Sequence, residues 1–173
     1  MAVLGLLLTT SICTAADTQK LDNLIVYGEG FGFTVKEPSG WIGDTQRAGQ
    51  FQANVIFYPR GANLESSNTP IIRVLVARKV DEDTATDLAH DMKGYQAQYK
   101  DVKFKDIKVA HPTYRPFAKL FYAPGRFFEY VTYLNPGVGK PQLLSVSMNK
   151  QQSEATESEF SAYTRVIASL QLL

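Results

Sequence analysis

This chain of 173 residues holds very little that points to covalent or metal chemistry. It has one cysteine and two histidines. Cys13 lies in the N-terminal stretch Met1–Ala16, MAVLGLLLTTSICTAA, ahead of the first charged residue, Asp17. Once that stretch is removed no thiol remains. Disulfides, a catalytic thiol and a cysteine metal site are then excluded, and an ordinary core must hold the fold. His90 and His111 show no H-x-x-x-H spacing and have no cysteine partners, so the zinc pattern is missing. G-x-S-x-G never occurs, and Ser39-Gly40-Trp41 is no nucleophile elbow. The glycines at 28, 30 and 32, and at 137 and 139, lack the sequel and context of a phosphate loop and read as turns. Charge of one sign is absent too: 18 Lys and Arg face 17 Asp and Glu. That balance points to neither nucleic acid nor an anionic membrane as partner. A long hydrophobic run is also lacking. Ala2–Ile12 is about eleven residues, where a spanning helix needs roughly twenty.

What the N-terminus does contain is a short apolar run followed by small residues, the layout of a secretory signal. Cleavage after Ala15 or Ala16 suits the small-residue rule. The usual basic start is missing, so either the true start lies upstream or the basic region is reduced to the Met1 amine. Thr10, Ser11 and Ile12 before Cys13 do not fit a bacterial lipid-attachment site, which has Leu three positions before its cysteine and a small residue directly before it. The expectation is a cleaved signal over residues 1–16 and one globular domain over residues 17–173, periplasmic or secreted. The apolar content of 45% and charged content of 20% are ordinary for a globular chain, and this length suits one domain.

Alternation and punctuation predict the elements. Leu24–Tyr27 and Phe31–Lys36 read as strand, broken by Gly28-Glu29-Gly30, and Pro38-Ser39-Gly40 is a turn before Trp41. Phe51–Tyr58 reads as the next strand. Ile71–Arg78 is the clearest one, with apolar residues on both faces, which predicts cover on both sides or nearly so. Thr84–Asp87 has the T-x-x-D form of a helix start. Ala85, Leu88, Ala89, Met92, Tyr95 and Tyr99 follow as one apolar stripe. Further strands are expected at Val102–Val109, Lys119–Tyr122, Arg126–Leu134 and Gln142–Met148. The short turns between them favour antiparallel pairing. A closing helix is expected from about Ser153 to Leu170 with Phe160, Tyr163, Ile167 and Leu170 buried. Thr156 and Glu159 as a cap would move its start a few residues later. The fold class expected is α+β, a single antiparallel sheet of six or seven strands flanked by two main helices.

The phrase from Phe31 to Trp41, FGFTVKEPSGW, resembles the opening of PsbP-like domains, where a short strand runs into a Pro-x-Gly-Trp turn. The later elements follow in a similar order. The Mog-type Ran-binding proteins share that α/β/α sandwich. The resemblance implies an antiparallel sheet between helices in an exported bacterial member. It also implies a role in binding and assembly, such as photosystem support in the thylakoid lumen. It supplies no functional residues.

Among candidate sites, His90 lies two residues after Leu88, about 200° round the helix from it. With Asp87, Asp91 and Lys93 nearby it reads as part of a solvated face. His111 precedes Pro112 in a loop. Asp81, Glu82, Asp83 and Asp87 suit a helix start, where the dipole favours carboxylates. They lack the alternating donors, the glycine and the distal Glu of a calcium loop. No catalytic, cofactor or metal residues are assigned and no cofactor is expected. The aromatic density is the stronger lead. In Arg126–Leu134, Phe128 and Tyr130 share one face; Phe127, Val131 and Tyr133 share the other. One face belongs to the core, and the second is either core under a helix or an exposed partner patch. Trp41, Tyr114, Phe127 and Tyr133 are the candidate partner contacts.

The reading that leads is a non-enzymatic exported domain that binds a protein partner or assists an envelope complex, with no stable membrane span. The alternatives are a small-ligand or lipid-binding module, which needs an apolar cavity between sheet and helix, and a hydrolase. The hydrolase requires His111 to meet a carboxylate in a cleft.

Overall fold

A computed structural model describes residues 23–80 and 83–173. The expected signal over residues 1–16, and Asp81 and Glu82 of the acidic cluster, lie outside the described residues. The chain opens with a hairpin of β1 (Asn23–Gly28) and β2 (Phe31–Lys36). Its register runs from Asn23 opposite Lys36 to Gly28 opposite Phe31. The Gly28-Glu29-Gly30 break is the hairpin turn, with Gly30 at φ 73°, a conformation that glycine adopts freely. At Pro38-Ser39-Gly40 the Trp41 N–H donates to the Pro38 carbonyl at 3.0 Å. The turn sends the chain out of the hairpin into β3 (Trp41–Asp44). A single turn of 3₁₀ helix at Ala48–Phe51 leads to β4 (Val55–Pro59) and β5 (Ile71–Arg78). Helix α1 spans Thr84–Gln98. Four more strands follow, β6 (Lys103–Asp106), β7 (Arg115–Ala123), β8 (Phe127–Asn135) and β9 (Gln142–Lys150). Helix α2 (Glu157–Ser169) and β10 (Gln171–Leu172) close the chain.

Seven strands form one sheet in the order β3-β4-β5-β9-β8-β7-β6, every neighbouring pair antiparallel. The expected single sheet is corrected here. β1, β2 and β10 form a second, three-stranded sheet. The Gly40–Trp41 turn separates the opening hairpin from the strands that follow, and the hairpin then pairs with the C-terminal residues instead. Such long-range pairing leaves no local sequence signal. Several strand boundaries also shift, and the strand expected over Val102–Val109 is only Lys103–Asp106. The strand expected from Phe51 begins only at Val55, because Gln52 takes up a left-handed φ of 53° after the 3₁₀ turn. The strand expected over Lys119–Tyr122 starts earlier, at Arg115.

The small sheet and α2 share one face of the large sheet. Phe33 and Val35 from β2, and Tyr163, Val166 and Ile167 from α2, belong to one buried cluster with Phe57, Val74, Leu144 and Met148. Trp41 is buried in the same cluster. Gly43 marks a close approach between the two sheets. A Cβ there would stand 2.3 Å from Leu24 Cδ1 and 2.9 Å from the Phe57 ring. Tyr163, Phe33, Phe57, Leu144, Met148 and Ile167 are each fully buried. Helix α2 starts at the capping box that Thr156 and Glu159 offered. Glu159 also accepts from Lys150 Nζ at 2.8 Å, which ties the end of β9 to the helix.

Helix α1 lies on the other face. Leu88, with Met92 and Tyr95 beside it, packs on Phe121, Val131, Tyr133 and Leu143. Its N-cap is Asp83, one residue before the expected start, accepting from the Ala85 N–H at 3.0 Å. Asp87 instead accepts from the Val80 N–H at 2.8 Å and is buried.

The Tyr163 hydroxyl donates to Thr132 Oγ1 at 2.8 Å and lies 3.1 Å from the Val146 carbonyl, joining α2 to β8 and β9 inside the core. Removing it in Tyr163→Phe takes away the one buried donor that links these groups. Chemical denaturation should show a loss of about 1–2 kcal/mol with unchanged cooperativity. A neutral result would mean the hydroxyl carries no such linkage.

Candidate functional site

Alternation along β8 places Glu129, Val131 and Tyr133 on the α1 face, level with Arg73, Leu75, Ser145 and Ser147 of β5 and β9. Helix α1 sits over β7 and β8. The cover expected over both faces of β5, or nearly so, is complete on one face and partial on the other, where Ala77 packs against the α1 cluster. Ile72 and Val74 are fully buried, whereas Leu75 on the α1 side is 37% exposed. Between α1 and that open strip lies a cleft of about 260 Å³. Its lining includes Gln52, Arg73, Leu75, Tyr95, Tyr133 and Ser147.

Two carboxylates meet the cleft, and both are engaged. The Arg73 guanidinium donates to Glu129 Oε1 through one nitrogen and to Ser147 Oγ at 3.0 Å through Nε. The Tyr95 hydroxyl, from α1, donates to the other oxygen of Glu129. The Tyr133 hydroxyl, from β8, donates back to Asp91 of α1. Asp91 and Tyr95 are one helical turn apart, and Glu129 and Tyr133 share one strand face. The helix and the strand thus exchange phenol-to-carboxylate hydrogen bonds in both directions. A buried carboxylate such as Glu129, 5% exposed, is tolerable only with partners of this kind. Burial pushes the Tyr95 and Tyr133 phenols well above their ordinary value, and the neighbouring carboxylates push them further. They act as neutral donors. Neither is poised as a base or nucleophile.

The four candidate contacts are placed differently. Tyr133 is buried and forms part of the cleft wall. Trp41 is buried in the core on the α2 side. Phe127 is half-buried, with its ring centroid 5.9 Å from that of Tyr95 and 5.0 Å from that of Tyr99. Tyr114 is half-buried and stacks on His111, ring centroids 4.5 Å apart. His90 is exposed, as its helical position implies. The aromatic faces of β8 are resolved: Tyr130 faces α2, and Phe127, Val131 and Tyr133 face α1.

His111 does not meet a carboxylate, and the hydrolase that required this is corrected. Nδ1 accepts from the backbone N–H of Thr113 at 3.0 Å and of Tyr114 at 2.8 Å. Nε2 lies 2.8 Å from the Leu170 carbonyl, so the proton sits there. Both nitrogens are committed to holding backbone. Among the described residues no group of three or more His, Cys, Asp and Glu side chains converges as for a metal ion. No described helix is long and apolar enough to cross a membrane.

The residues that build the cleft floor, Arg73, Glu129 and Tyr95, were not singled out by sequence reading. The signal available was a charged residue breaking the apolar face of a central strand, at Arg73 in β5 and at Glu129 in β8. Such a pair is expensive unless matched, and the match is made only in space.

No family model matches the sequence, and no curated protein matches it either. Among solved structures, the chain resembles the cyanobacterial PsbP protein (CyanoP) of Synechocystis sp. PCC 6803. The two are 13% identical, with a TM-score of 0.51 over 92% of this chain and 98% of that one. The fold is PsbP-like. LpqN of Mycobacterium tuberculosis, a protein involved in cell envelope biogenesis, is a second match. It is 10% identical, with a TM-score of 0.48 over 81% of this chain and 82% of that one.

The geometry of His111 sets a pH dependence. Burial lowers its pKa below the ordinary 6.5, and the bond to the Leu170 carbonyl offsets part of that. The folded state prefers the neutral ring. Its contribution to stability is therefore full above pH 6.5 and is lost as pH falls through the lower, folded value. A ring titration by NMR should give a midpoint below 6.5, with amide protection at Thr113 and Tyr114 weakening over the same range. A midpoint at or above 6.5 would contradict the bonding scheme.

Proposed function

We propose that this chain is a non-catalytic, exported domain of the cell envelope that recognises a protein partner through the open strip beside α1. The observation that supports it most is the half-covered sheet. Leu75, Ser145, Ser147 and Gln52 present apolar and hydrogen-bonding groups at a concave surface. Beneath them the Arg73–Glu129–Tyr95 network fixes the floor. A rigid floor lowers the ordering cost of binding. Tyr133 contributes from the cleft wall, while Phe127 and Tyr114 stand half-buried elsewhere on the surface. The signal-like segment over residues 1–16 supports export, and the resemblance to PsbP-like domains implies a role in binding and assembly. At this cleft the protein-partner reading is favoured over a small-ligand one by size. About 260 Å³ falls below the roughly 300–1,000 Å³ of pockets that enclose such ligands.

The test is a photo-crosslinking residue placed at position 75, with the same residue at the exposed position 36 as control, in cells of a producing host. The expected result is a discrete crosslinked protein in the envelope fraction from position 75 and none from position 36. A protein that stays monomeric and uncrosslinked from position 75 would overturn the proposal.

A further inference from the structure

β6 is an edge of the large sheet, and no described strand pairs with its outer side. Such an edge leaves a row of backbone N–H and C=O groups able to pair with another chain. The chemistry around it is lopsided. Eight lysines and arginines against two aspartates fall between Lys93 and Arg126, in a chain whose net charge is +1. Both aspartates are already paired, Asp106 with Lys119 at 2.6 Å and Asp101 with Arg126 at 3.4 Å. Lys103, Lys105 and Lys108 are exposed and form no ion pair among the described residues.

The two faces of β6 differ. Lys103 and Lys105 lie on the α2 face, level with Tyr122 and Leu120. Phe104 lies on the α1 face, where it packs against Phe121, ring centroids 4.9 Å apart. On that face a groove of about 440 Å³ runs between α1 and the β6–β7 edge. Leu88, Ala89, Met92, Ile107 and Phe117 give it an apolar lining. A strand added beside β6 projects alternate side chains to the two faces. One set falls beside the lysines and the other over the apolar groove. Glu154 and Glu157, at the far rim of the hollow next to Lys105, confine favourable acidic charge to the β6 side.

We propose that the β6 edge receives an extended segment of a partner protein by strand addition, its acidic side chains alternating with apolar ones. The acidic side chains pair with Lys103 and Lys105, and the apolar ones enter the groove lined by Leu88, Met92 and Phe117. Lysine on an edge also discourages chance pairing between copies of the chain, which makes the edge selective for an acidic strand. The inference rests on the reading of this chain as a protein-binding domain but uses a surface separate from the Leu75 strip.

The probe is a peptide of about eight residues alternating glutamate and valine, titrated into isotopically labelled protein and followed by amide NMR. Shifts are expected over residues 102–108 and along the Leu88–Met92 side of α1, with affinity falling at about 0.5 M salt. Lys103→Glu with Lys105→Glu should weaken binding about tenfold or more at low salt. Lys103→Gln with Lys105→Gln should give an intermediate loss and guards against a folding defect in the first variant. The inference is overturned if β6 amides do not respond, if a lysine–valine peptide binds as well, or if both double variants bind like the parent. It is equally overturned if phosphatidylglycerol vesicles or single-stranded DNA occupy the same residues in preference to the peptide. Failure here alongside crosslinking from position 75 would remove only this inference, whereas loss of that crosslink would remove the binding reading at the cleft.

Discussion

Two crossed hydrogen bonds between one helix and one strand set the architecture of the α1 face. Tyr95 of α1 donates to Glu129 of β8, and Tyr133 of β8 donates to Asp91 of α1. Glu129 beneath the helix is not acceptable without a partner, and the Tyr133 phenol is itself too buried to be left unbonded. The four groups satisfy one another only when α1 lies over β8. The Arg73 guanidinium, reaching Glu129 from two strands away, supplies the compensating charge and pulls β5 into the same network. Apolar packing of Leu88 and Met92 against Phe121, Val131 and Leu143 drives the docking, while the polar pairs decide where along the sheet it stops.

That position has a consequence on each side of α1. Toward β5 and β9 the helix stops short and leaves the strip with Leu75 and Ser147 open. Toward β6 it stands back from the edge strand, and a groove lined by Leu88, Met92 and Phe117 remains. The α2 face is different. There the small sheet and α2 together cover most of the surface, with Tyr163 hydrogen-bonded inside it. One face of the large sheet is therefore covered, and the other stays half-covered and carries the proposed recognition surfaces.

Much of this was legible in the sequence where the signal is local. The β5 strand Ile71–Arg78 and the β2 strand Phe31–Lys36 appear at their expected bounds. The Thr156–Glu159 capping box placed the start of α2, and the stripe from Leu88 to Tyr95 is docked. The short strands β3 and β10 were not legible, since four and two residues carry no periodicity to read. The second sheet was missed because β10 pairs with residues far away in the chain. The candidate site was the least legible part. Arg73 and Glu129 each look like an isolated charge in an apolar strand, and nothing in their spacing announces that Tyr95 and Ser147 complete them. The basic character of the β6 edge was hidden by the neutral total, because acidic residues elsewhere in the chain cancel it.

The most direct test of the account is a double-mutant cycle on the pair that crosses the sheet, Arg73→Met and Glu129→Leu, read by chemical denaturation. If Glu129 needs Arg73 as its compensating charge, each single variant strands a charge on the α1 face, and the double variant recovers much of the loss. The coupling expected is about 1–3 kcal/mol. Strictly additive losses would contradict the claim that this network positions α1 and shapes the open strip.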